Sequence, residues 1–238
     1  MRLKKIIKQL EGKFPLELAE EWDNVGLLLD STRREIKSIM LCLDITRDIV
    51  DNAVANKVDL IISHHPFIFS PLKKITTDEV NGEKILKLAR NNIAVYSMHT
   101  NIDSGIGGLN DFIIKKIGQE GKVFAISDNR SIELRKLVTS DLIDAKDKII
   151  NPLRIQKLKN AITIEELCKI IKEKLCIPNV RVVGDTVKLV KSYAICTGSG
   201  MSFSGNVKKK ADVFITGDLK YHESLDASEL NQTIIDLG

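Results

Sequence analysis

The sequence repeats one pattern: a short apolar run, then polar or glycine-rich residues, then the start of a helix. Continuous apolar runs of this length are typical of strands that helices cover on both faces. Their alternation with helices favours a mostly parallel sheet. The runs occupy residues 38–45, 58–63, 93–98, 192–196 and 212–216. After the first run, Thr46 next to Asp48 indicates the start of a helix. The sequence therefore predicts an α/β fold.

A middle segment, residues 126–192, does not follow this pattern. Residues 131–139 are predicted to be extended, and the polar residues 146–159 to have helical or loop character. A helix is then predicted after Thr163, because Thr163 and Glu166 have the spacing of a capping box. We therefore expect an inserted smaller α/β domain. The predicted domains are residues 1–125 with 193–238, which form the main α/β domain, and residues 126–192, which form the inserted one.

Charge and hydropathy limit the possible partners. The 36 basic and 32 acidic residues leave a net charge of +4, spread along the chain, which favours neither nucleic acid nor an anionic membrane. No apolar run approaches the roughly 18 residues that a membrane span requires. The basic N-terminus has apolar residues at helical spacing and no small-residue cleavage site, so we expect a cytoplasmic protein without a signal peptide. The four cysteines lack CxxC spacing and are predicted to be reduced.

The strongest candidates for chemistry are two adjacent histidines, His64 and His65, at the end of the run 58–63. Ligand sites in parallel sheets gather where the strands end, and histidine is the commonest metal ligand near neutral pH. Because neighbouring side chains on a strand point to opposite faces, the simplest arrangement has one cation for each imidazole. The alternative is that both histidines only cap the strand and form hydrogen bonds with loops.

The next apolar run is followed by another imidazole and a carboxylate, His99 and Asp103. A carboxylate can bridge two cations, and mixed nitrogen and oxygen ligands suit Zn, Fe or Mn. The sequence therefore predicts a metal site formed by these two residues together with His64 and His65.

Three further polar residues follow predicted strands or turns. Asp44 ends the run 38–45 and could orient a ligand at the same edge of the sheet. Asp23 and Asn24 have the composition of a turn. Their pattern alone therefore predicts a structural role for them.

The remaining candidates lie beside glycine-rich segments. Asp218 is predicted to cap the helix after residues 212–216, and His222 in its first turn is either a surface residue or a proton carrier. The turns at residues 105–108 and 197–200 are equally consistent with tight turns and with phosphate binding.

Six blocks of the sequence carry a resemblance to a known family. They are WDNVGL (22–27), LDIT (43–46), ISHHP (62–66), YSMHTNIDSG (96–105), TGSGMSF (197–203) and DVFITGDLKYHESLDA (212–227). In this combination they resemble the NIF-three-like dinuclear metal proteins, also called GTP cyclohydrolase 1 type 2 homologues. The resemblance implies two interleaved α/β domains, a toroidal homohexamer and two divalent cations per chain.

The resemblance also implies roles for individual residues. His64 and His65 would bind different cations, Asp103 would bind one or both, and His99 would be an adjacent ligand or orient one. The implied activity is metal-dependent hydrolysis of a nucleotide, such as GTP, or of another phosphorylated small molecule, by a metal-bound hydroxide. His222 would be the proton carrier, and Asp44, with Asn24, would orient ligands. The alternative is a metal-binding or regulatory homo-oligomer without turnover.

The end of the sequence departs from the family pattern. In the family, the strand that matches residues 233–238 is followed by a His and, four residues later, by a Glu that completes the two-metal site. This sequence ends at Gly238. We therefore expect a C-terminally shortened chain with weaker or single-metal binding, which favours the alternative without turnover.

Overall fold

The computed structural model of the chain describes residues 1–32, 35–127, 130–133 and 150–238. The chain forms two compact units, residues 1–102 and residues 103–238. The described strands of each unit form one sheet. Both sheets are combined with helices, so the predicted α/β class is confirmed.

The first unit contains a four-stranded sheet in its described residues, with strand order β1-β4-β3-β2. Strands β2, β3 and β4 are parallel, and β1 is antiparallel to β4. The elements in chain order are α1 (Leu3–Lys13), β1 (Gly26–Leu29), β2 (Ile39–Cys42), α2 (Arg47–Ala55), β3 (Leu60–Ser63), α3 (Val80–Arg90) and β4 (Ala94–Ser97). A short helix, α4 (Thr100–Ser104), follows β4.

Helices cover both faces of this first sheet, as the continuous apolar runs predict. Ile61 and Val95 point to one face, where they belong to a core cluster with residues of α2 and α3. Leu60 and Tyr96 point to the other face, where they share a cluster with α1 residues such as Leu3. Burial on both sides fixes the position of the strand ends.

The second unit contains a seven-stranded mixed sheet in its described residues, with strand order β6-β5-β7-β9-β10-β11-β8. Strands β9, β10 and β11 are parallel, and the other pairs are antiparallel. Its elements are α5 (Leu109–Ile117), β5 (Gly121–Ser127), β6 (Arg130–Glu133), β7 (Ile150–Thr163), α6 (Ile164–Leu175), β8 (Arg181–Val183), β9 (Leu189–Ile195), α7 (Ser204–Val207), β10 (Val213–Thr216), α8 (Tyr221–Glu229) and β11 (Thr233–Asp236).

The two units differ from the domains expected from the sequence. That expectation grouped residues 193–238 with residues 1–125 and treated 126–192 as an insertion. In the structure β9 pairs with β7 on one side and with β10 on the other, so hydrogen bonds join the expected insertion and the C-terminal segment in a single sheet. The contact-based boundary falls between Ile102 and Asp103.

Residues 150–159 form a strand, so the predicted helical or loop character of this segment is wrong. Leu153 and Ile155 are buried in one core cluster, while the polar Arg154 and Gln156 between them are buried as well. Residues 153–156 do alternate between apolar and polar side chains, as a strand would, but Arg154 and Gln156 also give the segment the polar character from which a helix or loop was predicted. The burial of Arg154 could not be expected, because a charged residue normally marks an exposed position. Residues 134–149, which include part of the predicted extended stretch, lie outside the described residues.

Local capping signals are confirmed at two helices and wrong at a third. The Thr46 hydroxyl accepts from the amide of the third residue of α2, and Thr163 and Glu166 form the predicted capping box of α6. Asp218 has a φ of 54° and precedes the helix, whose N-cap is Lys220. At that cap, the Glu223 carboxylate accepts from the Lys220 amide at 2.9 Å.

No helix in the part of the chain that the structure describes is long and apolar enough to cross a membrane.

Candidate metal centre

Three histidines gather at the carboxyl ends of two paired parallel strands. His64 and His65 follow β3, and His99 follows β4. The two strands end level with each other, since Ser63 is the register partner of Ser97. The hydroxyls of these two buried serines are 2.8 Å apart and form a hydrogen bond. The pairing of the strands therefore brings the three imidazoles to one place.

The imidazoles form a compact cluster. One nitrogen of each lies within 4.8 Å of the corresponding nitrogens of the other two. The ring centroids are 5.0 Å apart for His64 and His65, 5.1 Å for His64 and His99, and 5.5 Å for His65 and His99. This spacing suits metal binding, because imidazole nitrogens coordinate metals at about 2.0–2.1 Å from the ion.

The adjacent pair differs from the expectation that neighbouring side chains point to opposite faces. Strand β3 ends at Ser63, so His64 and His65 lie beyond the regular strand. Their amides donate to the carbonyls of Cys42 and Leu43, at 3.1 and 3.0 Å. This backbone path places both rings on the same side, and the argument for one cation per imidazole loses its geometric basis.

Each imidazole in the cluster has its Nδ1 next to an oxygen that can only accept. The pairs are His64 with the Met98 carbonyl (2.9 Å), His65 with Asp44 Oδ1 (2.8 Å) and His99 with Asp23 Oδ1 (2.9 Å). Nδ1 therefore carries the proton, and Nε2 of the neutral ring has the lone pair that can bind a cation. Metal-binding histidines in proteins are commonly oriented in this way.

Asp23 is the residue at this site that the sequence pattern missed. Its side chain is buried and accepts from His99, from the Thr100 amide at 3.0 Å and from the Thr100 hydroxyl. Burial raises the pKa of the Asp23 carboxyl, but the hydrogen bonds from His99 and Thr100 outweigh it and bring this pKa to about 2. The carboxylate is therefore charged at neutral pH. A local pattern could not reveal a contact across 76 residues of sequence.

The contact of Asn24 agrees with the structural role that its sequence pattern predicts, and not with the orienting role that the resemblance implies. Its side-chain amide donates to the Ile68 carbonyl. This contact fixes the segment that follows the histidine pair and does not orient a histidine ring. The orienting role predicted for Asp44 agrees with the geometry at His65, where both side chains are about half exposed.

The environment of His64 keeps its imidazole neutral. Burial of the ring, together with the nearby imidazoles of His99 and His65, lowers the pKa of His64 from 6.5 to about 4. A neutral imidazole retains the lone pair that metal binding requires. This histidine is therefore available as a ligand well below neutral pH.

We expect the metal-free protein to lose stability as the pH falls from about 6.5 to about 4. In that window the unfolded chain binds a proton at residue 64 that the folded chain does not, so the free energy of unfolding decreases with falling pH. For a ring that is partly exposed, the loss is on the order of 2 kcal/mol. Urea unfolding across this pH range in the presence of a chelator measures it.

The matched variants are His64→Gln, which should flatten this pH dependence, and His222→Gln, which should retain it because His222 is an exposed residue of α8. An equal slope for the wild-type protein and His64→Gln would contradict the assignment.

Two predicted site residues lie in the second unit. Asp103 belongs to α4 and is 9% exposed. His222 is exposed in the first turn of α8, where its ring contacts Tyr221 edge-on. Their roles as ligand and proton carrier stay predictions.

The two glycine-rich segments fit the tight-turn alternative. The Gly107 amide donates to the Asp111 carboxylate and the Gly108 amide to the Gly105 carbonyl. The Gly200 amide donates to the Gly198 carbonyl and to the Thr216 hydroxyl. These amides are thus used within the chain's own loops.

An open cleft of about 580 Å³ adjoins the cluster on the side of His65. Its lining includes the Asp44–His65 pair and a set of apolar and polar side chains, among them Phe67, Phe69, Leu72 and Lys84. The volume is within the range of small-molecule sites, about 300–1,000 Å³.

The fold and the cluster define a class: α/β proteins with a candidate metal site at the ends of parallel strands. A model of the family Duf34/NIF3 (NGG1p interacting factor 3) matches residues 1–238. The chain therefore belongs to the Duf34/NIF3 family, and the resemblance seen in the sequence blocks is confirmed.

Individual relatives agree with this assignment. The chain is 35% identical over 239 residues to a GTP cyclohydrolase 1 type 2 homolog of Clostridium acetobutylicum, a match covering 100% of this chain and 84% of that protein. It is 37% identical to the protein of the same name from Clostridium perfringens, with coverage of 100% and 85%. The crystal structure of the Staphylococcus aureus hypothetical protein SA1388 matches with a TM-score of 0.83 at 31% identity, covering 100% of this chain and 86% of that one.

Proposed function

We propose that the chain binds divalent cations through His64, His65 and His99 and hydrolyses a nucleotide or another phosphorylated small molecule. The observation that carries this proposal is the cluster itself: three imidazoles within 4.8 Å, each with Nδ1 held by an oxygen acceptor. The name shared by the Clostridium relatives supports a nucleotide such as GTP as the substrate.

The donor set fits the proposed cations. Imidazole suits Zn and Fe, and the carboxylate of Asp103, which the family pattern implies as a ligand, would also suit Mn. When bound, such cations lower the pKa of a coordinated water molecule and polarise the bond that is attacked. Following the family pattern, we propose a homohexamer with one or two cations per chain.

The residues of the chain itself then have separate tasks. Asp23 and Asp44 hold the rings of His99 and His65 through Nδ1 and place a negative charge behind each ring. That charge makes Nε2 a stronger donor to a cation. His222 is the proposed carrier of a proton to or from the substrate.

Metal analysis and an assay test this proposal together. Protein that has been loaded with Zn²⁺, Fe²⁺ or Mn²⁺ and then desalted should contain one or two ions per chain, since each site would hold its ion through several ligands. It should hydrolyse GTP or another nucleotide only when loaded. Stable metal content without hydrolysis of any phosphorylated substrate would favour a metal-binding or regulatory homo-oligomer. Absence of metal uptake would overturn both.

Replacing Asp44 should weaken cation binding without unfolding the protein. Residues that orient metal-binding histidines contribute about 10–100-fold to affinity, so Asp44→Ala should fall in this range and Asp44→Asn, which keeps an acceptor, should lose less. Competition with a chromophoric chelator measures the change. Asp51→Asn is the matched control, because Asp51 is similarly exposed and pairs with Lys87. Unchanged affinity in Asp44→Ala would argue against an orienting role.

A further inference from the structure

We propose that Trp22 and Phe69 form a stacking surface for a planar heteroaromatic ring, such as a nucleobase, beside the imidazole cluster. This inference rests on the proposed function and specifies which part of the substrate the chain recognises. The two residues are called the aromatic pair below.

The aromatic pair is exposed although its rings are neighbours. Trp22 is 60% exposed and Phe69 is 53% exposed. Their ring centroids are 6.0 Å apart and the planes are tilted by 59°. Because burial of aromatic surface is favourable, adjacent exposed rings on a folded protein commonly mark a binding site. The tilt leaves no slot between the rings, so a ligand would stack on their outer faces.

The aromatic pair adjoins the cluster. The Trp22 ring centroid is 6.1 Å from that of His99, and the planes meet edge-on at 73°. Aromatic rings stack with centroids about 4.5–7 Å apart, so a ring on Trp22 would lie next to the three imidazoles. The bond to be hydrolysed and the ring that is recognised could then belong to one small molecule.

Hydrogen bonds hold the aromatic pair in place from both sides. Asp23, the residue after Trp22, accepts from His99 and Thr100. Asn24, the next residue, donates to the carbonyl of Ile68, which precedes Phe69. Residues 22–24 thus connect the metal cluster to both rings, and a surface that is fixed before binding costs less ordering entropy when a ligand binds.

The adjoining cleft has the chemistry that the remainder of a nucleotide would require. Phe69 lines it together with His65 and Lys84. The Lys84 ammonium donates to the Ile45 carbonyl at 2.7 Å and lies 5.5 Å from the centroid of the Phe67 ring. Its positive charge favours an anionic substituent on the bound ring. The combination matches a base that carries a phosphate better than it matches an aliphatic substrate.

Trp22 is the only tryptophan of the chain, so its fluorescence reports on this surface alone. Titration with guanosine 5′-monophosphate should quench the emission saturably, and ribose 5-phosphate, which lacks the base, should not. Removal of a stacking ring costs about 1–3 kcal/mol per base. Because about 1 kcal/mol corresponds to roughly a fivefold change in the dissociation constant, calorimetry should show at least about fivefold weaker binding for Trp22→Ala. Trp22→Phe should retain most of the affinity.

Phe69→Ala should also weaken binding, whereas Phe112→Ala should not. Phe112 is a matched control because it is 57% exposed and belongs to the second unit. The inference is overturned if no common nucleoside monophosphate quenches Trp22 at millimolar concentration, or if Trp22→Ala binds as tightly as the wild-type protein. Emission typical of a buried indole before any ligand is added would equally overturn it, since another copy of the chain would then cover the ring.

The same samples separate this inference from the proposed function. Metal content should be equal in Trp22→Ala and the wild-type protein, because the cations are assigned to the histidines. Absence of quenching in wild-type protein that takes up metal would defeat the stacking surface alone. Quenching in chelator-treated protein that takes up no metal would support the stacking surface and defeat the metal site.

Discussion

The double variant His64→Ala, His65→Ala is expected to bind cations more than about 100-fold more weakly than the wild-type protein. Even residues that only orient metal-binding histidines contribute about 10–100-fold to the affinity. The double variant removes two of the three clustered imidazoles. The variant should still fold, because His65 is about half exposed and His64 is only partly buried. Elemental analysis after desalting measures the uptake, and a thermal unfolding curve in chelator measures the fold.

His222→Ala provides the control for this experiment, since it removes an exposed histidine of the second unit. It should keep the wild-type metal content even if it lowers the rate of hydrolysis. Equal metal content in the double variant and the wild-type protein would mean that the cations bind elsewhere. Loss of the fold in chelator would mean that the histidines have a structural role.

Replacing Arg154 should produce the largest loss of stability. Its side chain is fully buried and its guanidinium donates to the Asp111 carboxylate and to four backbone carbonyls. Arg154→Met leaves the buried carboxylate without its cation and the carbonyls without their donors. Breaking a buried pair from one side costs about 3–5 kcal/mol, which urea unfolding would detect as a lower midpoint.

Two further variants test whether the loss of stability in Arg154→Met comes from the buried ion pair. Arg154→Met with Asp111→Leu removes both charges and should regain part of the stability, since the uncompensated buried charge is gone. Lys159→Ala breaks an exposed pair with Glu120 and should cost about 1 kcal/mol or less. A loss of that small size for Arg154→Met would contradict the proposed contribution of the buried pair.

Local signals were sufficient for much of the fold. The apolar runs at β2, β3, β4, β9 and β10, and the caps Thr46 and Thr163, could be identified because each depends on a few consecutive residues. The burial of Arg154 on strand β7 could not, because it depends on partners about 40 to 50 residues away. The boundary at Ile102 likewise depends on how distant strands pair.

In the candidate site, too, some features follow from consecutive residues and others depend on residues distant in sequence. Strand ends and residue type were enough to select His64, His65 and His99. The position of the two adjacent rings depends on where β3 ends. The orientation of the His64 ring depends on the main-chain carbonyl of Met98, which no side-chain pattern reveals. Asp23 was interpreted as a turn former because its partner His99 is distant in sequence.

The hydrogen bond between the Ser63 and Ser97 hydroxyls has a consequence for folding. A slip of one residue between β3 and β4 would shift His99 by about 3.3 Å relative to His64 and turn its strand neighbours to the opposite face. Only the correct alignment of the two strands brings the imidazoles together. A refolding chain would therefore acquire its affinity for cations when this alignment is reached. The time course of cation binding during refolding would then report when β3 and β4 align.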